Sequence, residues 1–190
     1  MQYLKEDIRD KIIDAALEEF VVKDYSGASM RSIAENADIT VGNIYRYFKS
    51  KEDLLDQCLR PLLNVLEIFI MTDHASEAQN EAEMLVRERI AKNIVHIYQK
   101  FPREFHVLRY GLKNTCYNAY YEDLIKAVME KIKRVTTSRQ IDVHPMLFEV
   151  VARNQIDSVI YILEHVKKEE AENVINQFFA LNFEMTKENF

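Results

Sequence analysis

Glycine and proline are scarce in this sequence, with three of each in 190 residues. Strand-and-turn architectures need many more of these punctuating residues, so long helices joined by short loops are expected. Cysteine is scarcer still. Cys58 and Cys116 are too few for a disulfide framework and form no metal-ligand spacing, so a reducing compartment and no metal site are expected. The first residues, Met1-Gln2-Tyr3-Leu4-Lys5-Glu6-Asp7, contain no apolar signal region. The longest apolar stretch, Leu62 to Met71, is interrupted by Asn64 and Glu67 and is too short for a bilayer. A soluble, cytoplasmic protein is expected. Catalytic signatures are missing too: there is no Gly-rich phosphate loop, nucleophile elbow or His-Glu-x-x-His motif. Neither enzymatic activity nor a cofactor is expected.

Hydrophobic residues make up 48% of the chain, enough for a sizeable core. A net charge of −6 argues at first against nucleic acid, whose phosphates must be neutralised by Lys and Arg. The charges are unevenly distributed, however. No acid falls between Ile39 and Lys51, whereas Arg46, Lys49 and Lys51 do. A basic patch on an acidic body directs DNA to one face and repels it elsewhere.

Ile8, Ile12, Ile13, Ala16, Leu17, Phe20 and Val21 recur at helical spacing and predict a first helix ending before Asp24-Tyr25-Ser26-Gly27. Ser29 suits the N-cap of a short second helix carrying Ile33, Ala34 and Ala37. Asp38 stands at a turn where a left-handed backbone is tolerated. Thr40 caps a third helix with Ile44 and Phe48 facing inward. Ser50 and Asp53 resemble a capping arrangement that opens a fourth, in which Pro61 predicts a kink or break. Further helices are expected over Glu81 to Lys100, Phe105 to Leu112 and Tyr117 to Thr136. A hairpin of Met146 to Val166 and Glu169 to Lys187 follows, with Thr72 to Gln79 and Thr137 to His144 as connections.

Three short helices with a tight turn between the second and third match the helix-turn-helix plan. The outer side of the third helix presents Thr40, Val41, Gly42, Asn43, Arg46 and Tyr47, flanked by Tyr45. Gly42 is unfavourable in a first helical turn unless a base or phosphate must approach the backbone. Asn43 suits adenine N6 and N7, and Arg46 suits guanine or phosphate. Thr40, Tyr45, Tyr47 and Lys51 suit phosphates. On that assignment Lys51→Ala weakens binding to all sequences and flattens its salt dependence.

The stretch from Ser29 to Ala34, followed by Thr40 to Leu55, resembles the TetR family of bacterial transcriptional repressors. The family's Tyr-x-x-Phe-x-x-Lys-x-x-Leu segment reads here from Tyr45 to Leu54. The likeness covers about the first third of the chain. Two positions depart from it: the family usually has Gly where Asp24 stands, and often where Asp38 stands. The resemblance implies Ser29, Arg31, Thr40, Asn43, Tyr45, Tyr47 and Lys51 as DNA contacts. It also implies an all-α fold with a helix-turn-helix domain over residues 1–50 and a helical ligand-binding and dimerisation domain over 51–190.

For the homodimer interface, the apolar residues Val151, Ile156, Val159, Ile160, Leu163, Ile175, Phe178 and Phe179 on the last two helices are expected to pair with a second copy. A dimer also reads two half-sites about one DNA turn apart. The aromatic-rich middle holds polar residues among its rings, the usual composition of a ligand site. Asn93, Tyr98, Arg109, Tyr110, Tyr117, Tyr121, Phe148 and Gln155 are its candidate lining for a small-molecule effector. His96 and Cys116 are read as an ordinary histidine and an inert thiol. The function expected is that of a repressor released from palindromic operator DNA by a small ligand. The alternative is a DNA-binding protein governed by a protein partner or by no ligand, with a filled body.

Overall fold

The computed structural model describes residues 2–72, 83–112, 119–138 and 142–187. In chain order its helices are α1 (Gln2–Gly27), α2 (Met30–Asn36), α3 (Val41–Ile44), α4 (Lys51–Met71), α5 (Glu83–Lys100), α6 (Pro102–His106), α7 (Ala119–Ser138), α8 (Pro145–His165) and α9 (Lys168–Lys187). A single π-helical turn, Val107–Gly111, continues directly from α6. No strand occurs among the described residues. The fold is all-α.

Local chemistry explains where the helices begin. Ser29 Oγ accepts the Ser32 N–H at 3.1 Å, and Thr40 Oγ1 accepts that of Asn43 at 3.3 Å. At α4, Ser50 Oγ accepts the Asp53 N–H at 3.2 Å, while the Asp53 carboxylate accepts the Lys49 N–H at 2.8 Å. A cap of this kind stabilises its helix by about 1 kcal/mol. Pro102 and Pro145 stand in the first turns of α6 and α8, where a missing N–H breaks no helical bond.

The first four helices differ from expectation in three respects. The first helix is prolonged to Gly27, interrupted at Asp24 by a non-helical backbone (φ 56°, ψ 171°). Regular α3 ends at Ile44 instead of continuing to Phe48. Beyond it the Arg46 and Tyr47 N–H groups bond the carbonyls three residues back, tightening the last turn. Finally, α4 does not break at Pro61, which the helix carries at an exposed position.

One compact unit comprises Met1–Val65 with Phe101–Tyr121. Its core gathers Ile12, Ala16, Leu17 and Phe20 from α1, with Ile33 and Ala34 from α2. Ile44, Phe48, Leu54, Leu55, Leu59, Leu62, Val107 and Leu112 complete it, all essentially buried. Burial stabilises each large side chain by roughly 1.5–3 kcal/mol, so this core holds the short α2 and α3 that propensity alone would not. An ion pair from Arg103 to Asp14 (2.5 Å) joins α6 to α1.

The other unit comprises Leu66–Lys100 with Glu122–Phe190. Ala91 and Val95 of α5, Leu163 of α8, and Ala171 and Ile175 of α9 form a core cluster, with Ile94, Tyr98, Val159, Ile162 and Phe179 packed against it. The two alanines, fully or nearly buried, leave room for α5 and α9 to approach closely. Arg153 of α8 grips both carboxylate oxygens of Glu122 on α7, at 3.2 and 2.6 Å. A two-residue connection, Val166 and Lys167, joins α8 to α9 as the expected hairpin.

Candidate nucleic-acid interface

The segment from Ser29 to Lys51 is built around its inward side. Ile33, Ala34, Ile44 and Phe48 are buried and set how α2 and α3 cross. The turn between them needs one left-handed residue, and Asp38 supplies it at φ 55°. The Ile39 N–H then bonds the Ala34 carbonyl at 3.0 Å, closing the turn. With the inner side fixed, the outer side chains have determined directions.

Thr40, Gly42, Tyr45 and Arg46 are exposed, while Val41, Asn43 and Tyr47 are half-buried. A Cβ built on Gly42 meets nothing within 4 Å. No intramolecular crowding therefore demands glycine, and the open space lies over the first turn of α3. Arg31 is well exposed and pairs with Glu35 at 3.1 Å. An exposed pair of this kind contributes little to stability, so it yields readily to another anion. Ser29 is exposed as well, although its hydroxyl already serves as the α2 cap.

Lys51, expected as a phosphate contact, has partners within the chain. Its ammonium donates to the carbonyls of Tyr25 (2.7 Å) and Ala28 (2.9 Å) and lies 4.3 Å from the Tyr25 ring centroid.

Glu19 was not singled out by sequence. It is the one buried charged side chain among the described residues, 4% exposed. Lys23 donates to it at 2.8 Å and Asn36 at 3.4 Å, and Lys23 also donates to the Ser32 hydroxyl. Burial pushes the Glu19 carboxyl up, but hydrogen bonds from Lys23 and Ser32, the Lys23 charge and a backbone hydrogen bond from Ser29 together hold the group below its ordinary 4.5. This network fastens α2 to α1. In sequence Glu19 and Lys23 form only an i,i+4 pair, which ordinarily marks a solvated face.

The helix-turn-helix geometry coincides with a match of residues 12–58 to the sequence model described as bacterial regulatory proteins, tetR family. Over these residues the chain is similar to the tetR family. Among curated tetR-type relatives, it is 38% identical over 77 residues to the HTH-type transcriptional regulator SrpR of Pseudomonas putida, covering 40% of this chain and 36% of that one. It is 45% identical over 51 residues to the HTH-type transcriptional repressor KstR of Mycolicibacterium smegmatis, covering 27% and 25%. The alignments thus span only about a third or a quarter of those relatives. The fold likeness reaches further. The crystal structure of a TetR-family transcriptional regulator from Bordetella parapertussis superposes with a TM-score of 0.69 at 20% identity, covering 92% of this chain and 94% of that one.

Beyond the matched segment, the expected ligand-site residues fall into two groups. Arg109, Tyr110 and Tyr121 come together in the first unit, the guanidinium 5.6 and 5.1 Å from the two ring centroids. Asn93, Tyr98, Phe148 and Gln155 belong to the second unit and are half-buried. Burial pushes the Tyr98 hydroxyl's pKa up, aided by the charge of Glu164. Tyr117 and Cys116 lie outside the described residues, as does most of the Thr72 to Gln79 connection. No helix among the described residues is long and apolar enough to cross a membrane.

The expected interface residues differ in exposure within the single chain. Ile160, Leu163 and Ile175 are buried within the chain's own core. Val159 and Phe179 pack on the α5–α8–α9 core. Ile156 and Phe178 are half-buried, and Val151 is exposed. The apolar side chains that do face outward on α8 are Met146, Leu147, Val150, Val151 and Tyr161, with Leu181 on α9. Leu147, Val151, Asn154, Ser158, Tyr161 and His165 follow three- and four-residue steps along one α8 stripe, the rings of Tyr161 and His165 stacked at 4.1 Å.

Proposed function

We propose that this chain is a dimeric transcriptional repressor that binds palindromic operator DNA and is released by a small-molecule effector. The single observation that carries the DNA-binding reading is the outer side of α3: a capped first turn, open space over Gly42, and Asn43 and Arg46 alongside. Ser29, Arg31, Thr40, Val41, Gly42, Asn43, Tyr45, Arg46 and Tyr47 are the proposed contacts. Asn43 reads a base edge, and Arg46 meets guanine or phosphate. The exposed α8 stripe through Leu147, Val151 and Tyr161, with Leu181 of α9, is the proposed face for a second copy.

Selection of bound duplexes from a random library by the full-length protein tests this reading. The expected product is an inverted repeat with half-sites about one helical turn apart. Asn43→Ala then costs about 1–3 kcal/mol at one base position and relaxes specificity there. Recovery of no sequence preference, or equal binding by Asn43→Ala, would refute the assignment.

A second reading has its own support: the Tyr98 region packs against Ala91, Val95, Leu163, Ala171 and Ile175. A body filled there fits a regulator governed by a protein partner or by none. Screening small apolar and cationic compounds for loss of operator binding separates the two. A hit supports effector release; silence across a broad panel supports the alternative.

A further inference from the structure

Lysine is electrostatically out of place in the first turn of a helix, where the helix dipole favours acids such as the neighbouring Glu52 and Asp53. Lys51 resolves this by reaching across to the C-terminal end of α1. There Tyr25 and Ala28 present carbonyls beyond the regular helical bonding, and its ammonium donates to both at 2.7 and 2.9 Å. The Tyr25 ring, itself buried, covers the ammonium at 4.3 Å. Two of three N–H donors are thus directed to backbone carbonyls and the charge rests on an aromatic face.

The junction so fastened is the strained one. Asp24 holds φ 56° and ψ 171°, a backbone region almost reserved for glycine, and such conformations persist only where surrounding contacts over-determine them. Ser29, the α2 cap, follows Ala28 directly, and the α2–α3 turn is bonded to α2 through Ala34 and Ile39. A continuous bonded path therefore runs from the N-terminus of α4 through this junction to α3.

We propose that Lys51 is a positioning residue and not a phosphate ligand: its ammonium clamps the α1–α2 junction to α4 and thereby fixes the angle at which α3 is presented. This rests on the reading of α3 as the DNA-facing helix. An ammonium that turned to a phosphate would leave two carbonyls at the junction without their donor.

The test uses the full-length protein with two duplexes, one selected by the wild type from a random library and one of random sequence. Lys51→Met keeps an unbranched apolar stem and removes the charge and donors. It is expected to lower the melting temperature and cut the selected-to-random affinity ratio about tenfold, leaving the slope of log K against log salt unchanged. Two controls frame this. Arg46→Met, at an exposed position, is expected to flatten that slope by about 0.9 without lowering the melting temperature. Ile12→Val, in the core of the same unit, is expected to lower the melting temperature while preserving the affinity ratio.

A Lys51→Met slope flattened by about 0.9 with unchanged melting would make Lys51 a phosphate ligand and overturn the proposal. Lower melting with an intact ratio would also overturn it, leaving a purely structural lysine. If Lys51→Met fails to fold, Lys51→Gln, which retains amide donors, is judged by the same criteria. Failure of the wild type to bind any duplex would remove both this proposal and the reading beneath it, and is seen without any variant.

Discussion

Gly42→Ala asks the sharpest question of the interface, because stability and binding should move in opposite directions. Glycine in a helix interior is about 1 kcal/mol less favourable than alanine. Gly42 occupies the second position of the four-residue α3, so about half of that, roughly 0.5 kcal/mol, is a reasonable gain. The added methyl meets no atom of the protein within 4 Å, so no clash offsets the gain. For a domain of this size the melting temperature should rise by about 1–2 °C. On the proposed reading, the same methyl occupies the space through which a base edge or phosphate approaches. Losing one such contact costs about 1–3 kcal/mol, or about 5- to 150-fold in affinity. Thermal melting followed by circular dichroism, with fluorescence anisotropy on the selected duplex, measures both quantities. Equal losses on selected and random duplexes would identify a phosphate at Gly42; a loss confined to the selected duplex would identify a base. A variant more stable than wild type and undiminished in binding would refute the claim that this open space is where DNA approaches.

Three further outcomes follow from the same unit. Asp24→Gly should stabilise the protein by about 1 kcal/mol in chemical denaturation by relieving the unfavourable backbone, whereas Asp24→Ala, still bearing a Cβ, should not; equal effects would show that the side chain and not the backbone matters. Because the folded Glu19 carboxyl is held below its ordinary 4.5, its contribution is fully present above the unfolded-state value and lost as pH falls through the folded one. Unfolding measured across that acid range should show a shallower limb for Glu19→Gln, and an identical limb would exclude Glu19 as a source of acid sensitivity. Burial pushes the Cys58 thiol up to about 12, so in a Cys116→Ser background it should react with a disulfide reagent only on unfolding. Fast labelling of the native protein would contradict that burial.

What sequence made legible here was local. Ser29, Thr40 and the Ser50–Asp53 pair announce helix starts through side chains acting within three or four residues, and Pro102 and Pro145 do so through their missing N–H. Asp38 at φ 55° was foreseeable from turn chemistry. What escaped depends on distant partners. Ile175 and Phe178 look equally suited to an interface, yet one is buried in its protomer's core and the other only half-buried, because α9 is apolar on more than one side. Lys51 reads as a surface charge until folding brings Tyr25 and Ala28, more than twenty residues earlier, within hydrogen-bond reach. Glu19 is misleading for the same reason, since its partner Asn36 belongs to another helix. Pro61 breaks helices by rule, and α4 continues through it at an exposed position.

The division of labour within α3 bears on how such a protein changes over generations. Ile44 and Phe48 hold the segment in place from the inside, whereas Gly42, Tyr45 and Arg46 lie exposed and Asn43 half-exposed. On the proposed reading, substitutions at Asn43 or Arg46 leave the packed side intact, so the preferred duplex can change while the scaffold is kept. Duplicated copies of such a gene have a short route to separate targets: a few outward positions within eight residues, with no need to rebuild the core.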